Sequence, residues 1–276
     1  MKYNIIFFIS FFLFSCSGDT LVEEKKEEIK KVNETRYKTN VLIEDYTGAW
    51  CGWCPRIAYK LDYLWKSTEK RISIVAIHNQ DAFSFEKEAE MRGKYWESGW
   101  GFPTAIYNRN KKWNESVSLQ NQYKVITDKI AKPSVLGLAL ESSLSGRTLK
   151  LKFKVGFGYN LSNLSLVVYL TESGLIANQA NYADLGYGTA NPLVGFVHDN
   201  VLRASISTLY GDPIDSSLSK NGEVYEKSYT YEIPKSYSLQ SKIVAFVVDA
   251  NEVSMNSRVF ITTGNEAENA KFQTID

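Results

Sequence analysis

The sequence predicts an α/β domain followed by an all-β domain, because the period of its apolar residues changes near residue 133. Before that point, apolar runs of strand length alternate with stretches whose apolar residues recur every three to four positions. Beyond it, apolar residues alternate with polar ones, as in residues 149–155, which indicates half-buried strands. The pair Lys132-Pro133 marks the boundary, since proline disfavours helical geometry in the residue before it.

The first 38 residues are predicted to precede the folded part. Residues 1–15 hold one lysine and an apolar run too short to span a bilayer, as in a secretory signal peptide. Leu13-Phe14-Ser15-Cys16 resembles the lipobox of bacterial lipoproteins, which implies that Cys16 is acylated and holds the protein on a membrane. An unmodified Cys16 after an ordinary signal peptide is the alternative. Residues 16–38 are rich in Glu, Lys and Asn and are interpreted as a solvated tether.

The overall composition is that of a globular protein. Hydrophobic residues make up 44% of the chain, enough for a core, and the net charge of +1 gives no reason to expect a nucleic-acid partner. No acidic residue directly follows Cys16, which favours the outer membrane, with the periplasmic face and the cell surface both open. If Cys16 is acylated, any disulfide within the monomer joins the two remaining cysteines.

Those two cysteines stand in the stretch Trp50-Cys51-Gly52-Trp53-Cys54, between a predicted strand at residues 39–46 and a predicted helix at residues 55–70. This arrangement sets Cys51 at a helix N-terminus, where unpaired amides and the helix dipole favour thiolate over thiol. A structural zinc needs four ligands, but the chain has only three Cys and two His and no second CxxC. We therefore expect a redox dithiol, with no metal and no cofactor.

A second motif, Gly101-Phe102-Pro103-Thr104, precedes the apolar residues 105–107. Together the two motifs resemble the thioredoxin superfamily, in which a cis-proline loop packs against the dithiol and offers its backbone to an incoming peptide. The resemblance implies a thioredoxin-like fold for residues 39–132. An ordinary turn proline is the alternative for Pro103. The residues that the resemblance places in contact with substrate are Trp50, Trp53, Phe102 and Pro103.

The resemblance also assigns roles. In thiol–disulfide exchange Cys51 is the expected nucleophile and Cys54 the resolving thiol. The superfamily's buried acid matches Asp45, or Glu44 if the strand register is shifted by one; a solvated strand-edge carboxylate is the alternative for either. His78 and His198 could relay protons. The alternative is a structural hydrogen bond for His78 and, for His198 with Arg203, a loop or domain contact.

The remaining predicted elements complete the two domains. In the first domain they are a strand at residues 72–77, a helix at 85–98, a strand at 104–108 and a helix at 118–132. In the second, residues 133–276, they are strands at residues 135–140, 149–155, 164–171, 201–208, 225–233, 243–249 and 259–263. Such a series of strands separated by turn residues indicates an antiparallel, immunoglobulin-like β-sandwich.

Further motifs resemble a narrower group, the 28-kilodalton outer-membrane-protein family of lipoproteins, in which a thioredoxin-like module precedes a β-sandwich. They are Glu44-x-Tyr46-Thr47-Gly48, Cys54-Pro55, Ile77-His78, Asn108-Arg109 and residues 196–203. Two functional hypotheses follow. The first is a membrane-anchored thiol–disulfide oxidoreductase that acts on disulfide or thiol proteins of the envelope and exchanges electrons with a donor or acceptor protein. The second is a surface binding or adhesion lipoprotein whose sandwich carries the function.

Overall fold

A computed structural model describes residues 35–113, 118–261 and 272–275. The predicted signal peptide, Cys16 and most of the predicted tether lie outside these residues. The described chain is mostly β-structure with three helices. The helices are α1 (Pro55–Ser67), α2 (Glu88–Tyr95) and α3 (Leu119–Ile130). The strands are β1 (Arg36–Tyr37), β2 (Val41–Thr47), β3 (Ile72–His78), β4 (Thr104–Tyr107), β5 (Lys111–Lys112), β6 (Leu136–Ser145), β7 (Thr148–Phe157), β8 (Leu164–Glu172), β9 (Leu175–Gln179), β10 (Leu193–His198), β11 (Val201–Ser205), β12 (Asp212–Ile214), β13 (Val224–Glu232), β14 (Lys242–Val248), β15 (Ser254–Ile261) and β16 (Thr274–Ile275).

Local sequence explains where the helices begin and which face they bury. Helix α1 starts at Pro55, where the missing amide hydrogen costs no helical hydrogen bond. Its apolar stripe of Ile57, Leu61 and Leu64 is buried. Helix α3 is capped by the Ser118 hydroxyl, which accepts a hydrogen bond from the Asn121 amide at 3.3 Å. No helix among the described residues is both long and apolar enough to cross a membrane.

One nine-stranded sheet runs through the molecule in the order β15-β14-β8-β11-β3-β2-β4-β5, with β12 also paired to β8. Strands β2 and β11 both pair with β3 in parallel. The Ala76 amide donates to the Asn200 carbonyl oxygen at 2.8 Å, where β11 meets β3. Strands that the sequence assigned to two domains therefore share one sheet, and the described residues form one compact unit.

Three apolar clusters cover the faces of this sheet. Helices α1 and α3 cover one face of β2, β3 and β4, around residues such as Ile43, Ile57 and Ile126. A three-stranded sheet, β13-β7-β6, packs against β8, β14 and β15 through residues such as Phe153 and Leu166. The third cluster joins the two halves through residues of β2, β3, β8 and β14 and the segment around α2. The first domain is thus continuous with the β-layers that follow it.

Residues at the end of the predicted tether form a short strand, β1. Tyr37 is buried in β1, and its ring fills the space left by Gly137 and Gly156. Its amide also donates to the Ser134 carbonyl oxygen at 2.8 Å. This packing fixes residues 36–37 in the fold, although their surroundings in the sequence are polar. The predicted helix at 85–98 is shorter in the structure, where α2 ends as the backbone of Trp96 becomes extended; Phe85 and Trp96 on its flanks pack into the core.

Candidate functional site

The dithiol lies in the turn between β2 and α1, and its two cysteines form a disulfide with the Cα atoms 5.4 Å apart. The Cys51 amide donates to the Gly48 carbonyl oxygen at 3.0 Å, and the Cys54 amide donates to the Cys51 carbonyl oxygen at 3.1 Å. Cys54 is the residue that precedes the first turn of α1, which contains no acidic residue. The helix terminus therefore presents its positive end to the dithiol, and this favours thiolate in the reduced state.

Two aromatic pairs flank the disulfide. The Trp50 indole packs edge-on against Phe102, with ring centroids 5.3 Å apart, and its Nε1–H donates to the Asn79 carbonyl oxygen at 2.7 Å. Trp53 packs edge-on against Tyr182 at 5.6 Å. The Phe102–Pro103 peptide bond, at the start of β4, is cis. Trp50 and Phe102, predicted as substrate contacts from distant parts of the sequence, thus lie side by side.

A segment from beyond residue 133 crosses the dithiol. Residues 179–182, which we call the strap, begin at the last residue of β9. The Ala180 amide donates to the Ala49 carbonyl oxygen at 2.8 Å, and the Tyr182 amide donates to the Gly52 carbonyl oxygen at 3.0 Å. The buried Gln179 side chain donates to the Cys51 carbonyl oxygen at 3.0 Å. The sequence analysis missed the strap, and no local motif marks it, because its partners lie more than a hundred residues away.

The two carboxylates in the middle of β2 point to opposite faces of the sheet, as successive strand residues do. Asp45 lines a cavity together with Cys54. Glu44 instead forms a buried ion pair with Arg109, whose Nη2 lies 3.0 Å from Glu44 Oε1. Burial lowers the pKa of Arg109, but the Glu44 carboxylate, together with Tyr169 and Tyr95, outweighs burial and raises the pKa above its ordinary value. Of the two candidate acids, only Asp45 lies on the dithiol side.

The cavity has a volume of about 550 Å³ and lies between α1, β3 and the β9–β10 hairpin. Both histidines of the chain line it. His78 Nδ1 lies 2.7 Å from Asp81 Oδ2, and Asp81 also accepts a hydrogen bond from the Ala49 amide at 2.8 Å. Burial raises the pKa of Asp81, but the hydrogen bond and charge of His78 and the backbone amides outweigh burial and lower it. His78 and Asp81 thereby connect the end of β3 to the turn that carries the dithiol.

His198 packs against His78, with ring centroids 5.1 Å apart. Burial, together with the neighbouring His78, lowers the pKa of His198 to about 4, although Asp81 opposes the shift. His198 is therefore neutral at pH 7. Arg203 does not pair with it and lies 3.0 Å from Glu172. Within the described ranges, no three His, Cys, Asp or Glu side chains come together as a metal site would require.

Comparison with known protein families identifies the family of the chain. Residues 90–262 match the family described as outer membrane protein Omp28. The chain belongs to the Omp28 family. This confirms the predicted family and the predicted location in the outer membrane of the cell envelope. Because the match begins after the dithiol, it concerns family and location rather than redox chemistry.

Solved structures resemble the chain at low sequence identity. HBP35 of Porphyromonas gingivalis is 19% identical, with a TM-score of 0.62 over 81% of this chain and 75% of that one. A protein from Agrobacterium tumefaciens is 10% identical, with a TM-score of 0.51 over 82% of this chain and 96% of that one. A domain of the outer membrane lipoprotein Omp28 from Porphyromonas gingivalis is 18% identical, with a TM-score of 0.31 over 46% of this chain and 87% of that one. The first two share the fold. No curated protein matches.

Proposed function

We propose that this protein is a thiol–disulfide oxidoreductase with a thioredoxin-like module, held at the outer membrane by acylated Cys16. The observation that carries the proposal is the position of the Cys51–Cys54 pair, at the positive end of α1 and beside a cavity that contains Asp45. A purely structural disulfide would not need an adjacent acid. The proposed substrates are disulfide or thiol proteins of the envelope, with a donor or acceptor protein as redox partner.

The mechanism uses the two sulfurs in sequence. In the reduced protein the Cys51 thiolate attacks a disulfide of the substrate, forms a mixed disulfide and releases one substrate thiolate. Asp45 accepts the proton of Cys54, with which it shares the cavity. The Cys54 thiolate then attacks Cys51 Sγ, which releases the second substrate thiolate and forms the Cys51–Cys54 disulfide. Two electrons pass to the substrate.

The aromatic side chains around the turn are suited to docking a substrate peptide. Trp50 and Trp53 are 45% and 43% exposed, although each is held in place by an aromatic neighbour. Rigid, half-exposed aromatic residues give large contact area at little entropic cost. We propose that the substrate chain lies across Trp50 and Phe102, next to Pro103.

The proposal is tested by exchange with a self-quenched peptide dimer joined by a disulfide. Cys51→Ser should abolish the gain in fluorescence, and Cys54→Ser should trap a mixed disulfide on Cys51. Cys16→Ser, the matched control, should leave the exchange rate of the detergent-solubilised protein unchanged. Unaltered exchange by Cys51→Ser would refute the assignment of the nucleophile.

The direction of electron flow is measured by equilibrating the protein with glutathione and following Trp50 and Trp53 fluorescence. A reduction potential of about −270 mV would indicate a reductase, and one of about −120 mV an oxidant. If the pair does not cycle at all, the dithiol is structural.

The second candidate, a surface binding lipoprotein, is favoured by the β9–β10 hairpin. Ile176 and Val194 on this hairpin are 70% and 80% exposed, which is unusual for aliphatic side chains in a strand. If binding is the function, Ile176→Ser with Val194→Ser abolishes adhesion of cells to immobilised matrix proteins, and Cys51→Ser leaves adhesion unchanged. The opposite pattern supports the oxidoreductase.

A further inference from the structure

The two sulfurs of the disulfide differ in what surrounds them. Both cysteines are nearly closed to bulk solvent, with 4% of Cys51 and 2% of Cys54 exposed. Cys51 is held beneath the strap by Gln179. Cys54 lines the 550 Å³ cavity, whereas Cys51 does not. A reagent small enough to enter the cavity therefore meets Cys54 first.

The cavity has the dimensions and walls of a small-molecule site. Its volume falls within the ~300–1,000 Å³ that such sites occupy, and a folded protein substrate could not enter it. Apolar walls come from Ala58, Leu61 and Trp65 on α1, and from Tyr187 and Phe196 across from them.

The charges of the lining favour one kind of ligand. The carboxyl groups of Asp45, Asp62 and Asp199 line the cavity, and Lys242 is the one lysine among its lining residues. Asp62 and Asp199 are exposed, and Asp62 forms an ion pair with Lys66 at 2.7 Å. Even without the charge of Asp62, two carboxyl groups of the lining stand against the single lysine. A cleft lined mainly by one sign of charge concentrates small ions of the opposite sign. A ligand with a positive amine is therefore preferred over an anionic one.

We propose that the cavity admits a low-molecular-weight aminothiol, which reduces the Cys51–Cys54 disulfide by attack on Cys54. The inference rests on the proposed function and names the class of reductant that recharges the dithiol. The aminothiol thiolate forms a bond to Cys54 Sγ, the Cys51–Cys54 bond breaks, and Cys51 leaves as a thiolate. A second aminothiol then attacks the sulfur of the aminothiol bound to Cys54. The two aminothiols leave together as a low-molecular-weight disulfide, and Cys54 is released as a thiolate. Overall, the protein disulfide and two thiols give the protein dithiol and one small disulfide.

The chemistry of the leaving group also favours attack on Cys54. In thiol–disulfide exchange the sulfur with the lower thiol pKa leaves faster. The first cysteine of a CxxC motif before a helix is stabilised as thiolate by the helix terminus. Attack on Cys54 therefore expels the better leaving group. Protein substrates would still be attacked by Cys51, so the two partners would use opposite ends of the dithiol.

The experiment uses the oxidised full-length chain and three thiols of similar size: cysteamine, 2-mercaptoethanol and mercaptoacetate. Rates of reduction are followed by Trp fluorescence, corrected for thiolate fraction, and divided by the rates for an oxidised peptide with the sequence of residues 49–55. The corrected rate should fall in the order cationic, neutral, anionic. After a rapid acid quench and alkylation, peptide mass spectrometry should find cysteamine on Cys54 and the alkyl group on Cys51.

A variant that fills the cavity provides the second arm. Ala58→Phe should slow reduction by cysteamine about tenfold, because the added ring occupies the route to Cys54. Ala131→Phe, the same change at the exposed end of α3, should have no effect. Cysteamine found on Cys51, or an unchanged rate in a folded Ala58→Phe, would overturn the inference and leave the proposed function intact. A disulfide that no thiol reduces would refute both.

Discussion

The Cα of Gly52 lies against the ring of Tyr182. A Cβ at Gly52 would come within 2.4 Å of three ring atoms, and the Tyr182 amide donates to the Gly52 carbonyl oxygen at 3.0 Å. One of the two residues between the cysteines is therefore restricted by the strap, which comes from the other half of the chain. The restriction is one of space rather than of backbone angle.

Gly52→Ala should push the Tyr182 ring aside and loosen the strap. We expect a loss of about 1–3 kcal/mol in the free energy of unfolding, the usual cost of overpacking. Alkylation of Cys51 in the reduced protein should become faster. Urea denaturation and iodoacetamide kinetics measure the two effects.

Gly93→Ala is the matched control for this change. Gly93 lies in α2, and no atom lies within 4 Å of a Cβ added there. Alanine in a helix is favoured over glycine by about 0.8–1.0 kcal/mol, so this variant should be more stable than the wild type. If Gly52→Ala instead matched the wild type in stability and in Cys51 alkylation, the strap would not rest on the dithiol.

Gln179→Ala should destabilise the dithiol turn by removing a shared donor. The buried Gln179 amide donates to the Cys51 carbonyl oxygen at 3.0 Å and to that of Gly48 at 3.3 Å. Leaving buried acceptors unsatisfied costs about 1–3 kcal/mol. Gln179→Glu should cost more, because its carboxylate would face the same carbonyl oxygens. In urea denaturation, the free energy of unfolding should therefore be highest for the wild type, lower for Gln179→Ala and lowest for Gln179→Glu. Equal stability of Glu and Ala at this position would contradict the hydrogen-bonding role.

Local sequence patterns predicted the strands and helices around the dithiol but not the contacts between distant segments. The helix after Cys54 follows from the spacing of Ile57, Leu61 and Leu64, and Trp50 beside Phe102 follows from the two motifs. The strap follows from neither, because hydrogen bonds between backbone groups leave no pattern in side chains. The pairing of β11 with β3 was missed for the same reason.

The sequence does not distinguish the roles of Glu44 and Asp45, whereas the structure does. Both are acidic, adjacent and buried, so composition and spacing treat them alike. The distinction comes from Arg109, which follows β4 in the chain and forms an ion pair with Glu44. An arginine in a loop gives no sign of its partner.

These two carboxylates should therefore give opposite phenotypes. Asp45→Asn should slow release of the mixed disulfide about a hundredfold or more, because it removes the proton acceptor of Cys54, and should alter stability little. Glu44→Gln should cost about 3–5 kcal/mol, because it leaves the charge of Arg109 buried without its partner. Its exchange rate per folded molecule should remain that of the wild type. Single-turnover kinetics and urea denaturation separate the two effects.

Combining Glu44→Gln with Arg109→Met is the control for the ion pair. Removing both charges should restore part of the stability lost in Glu44→Gln, because an apolar side chain suits the aromatic surroundings of Tyr95 and Phe246. If the double variant were less stable than either single variant, the pair would not be the source of the loss.

His198 should make the protein less stable in mild acid. Its pKa falls from 6.5 to about 4 on folding because the ring is buried beside His78. Between these values the unfolded chain binds a proton that the folded chain does not, so stability falls as the pH is lowered from 6.5 to 4 and levels off below. After allowance for solvent screening, we expect a loss on the order of 1–2 kcal/mol. The lowered pKa of Asp81 acts in the same direction, but only as the pH falls below the ordinary value of 3.8. His198→Gln should flatten the curve of unfolding free energy between pH 6.5 and 4, and its difference from the wild type at pH 7 gives the fixed cost of the substitution. Parallel curves for the two proteins across this range would show that His198 titrates normally in the folded state, and that the cavity beside the dithiol is open enough to hydrate it.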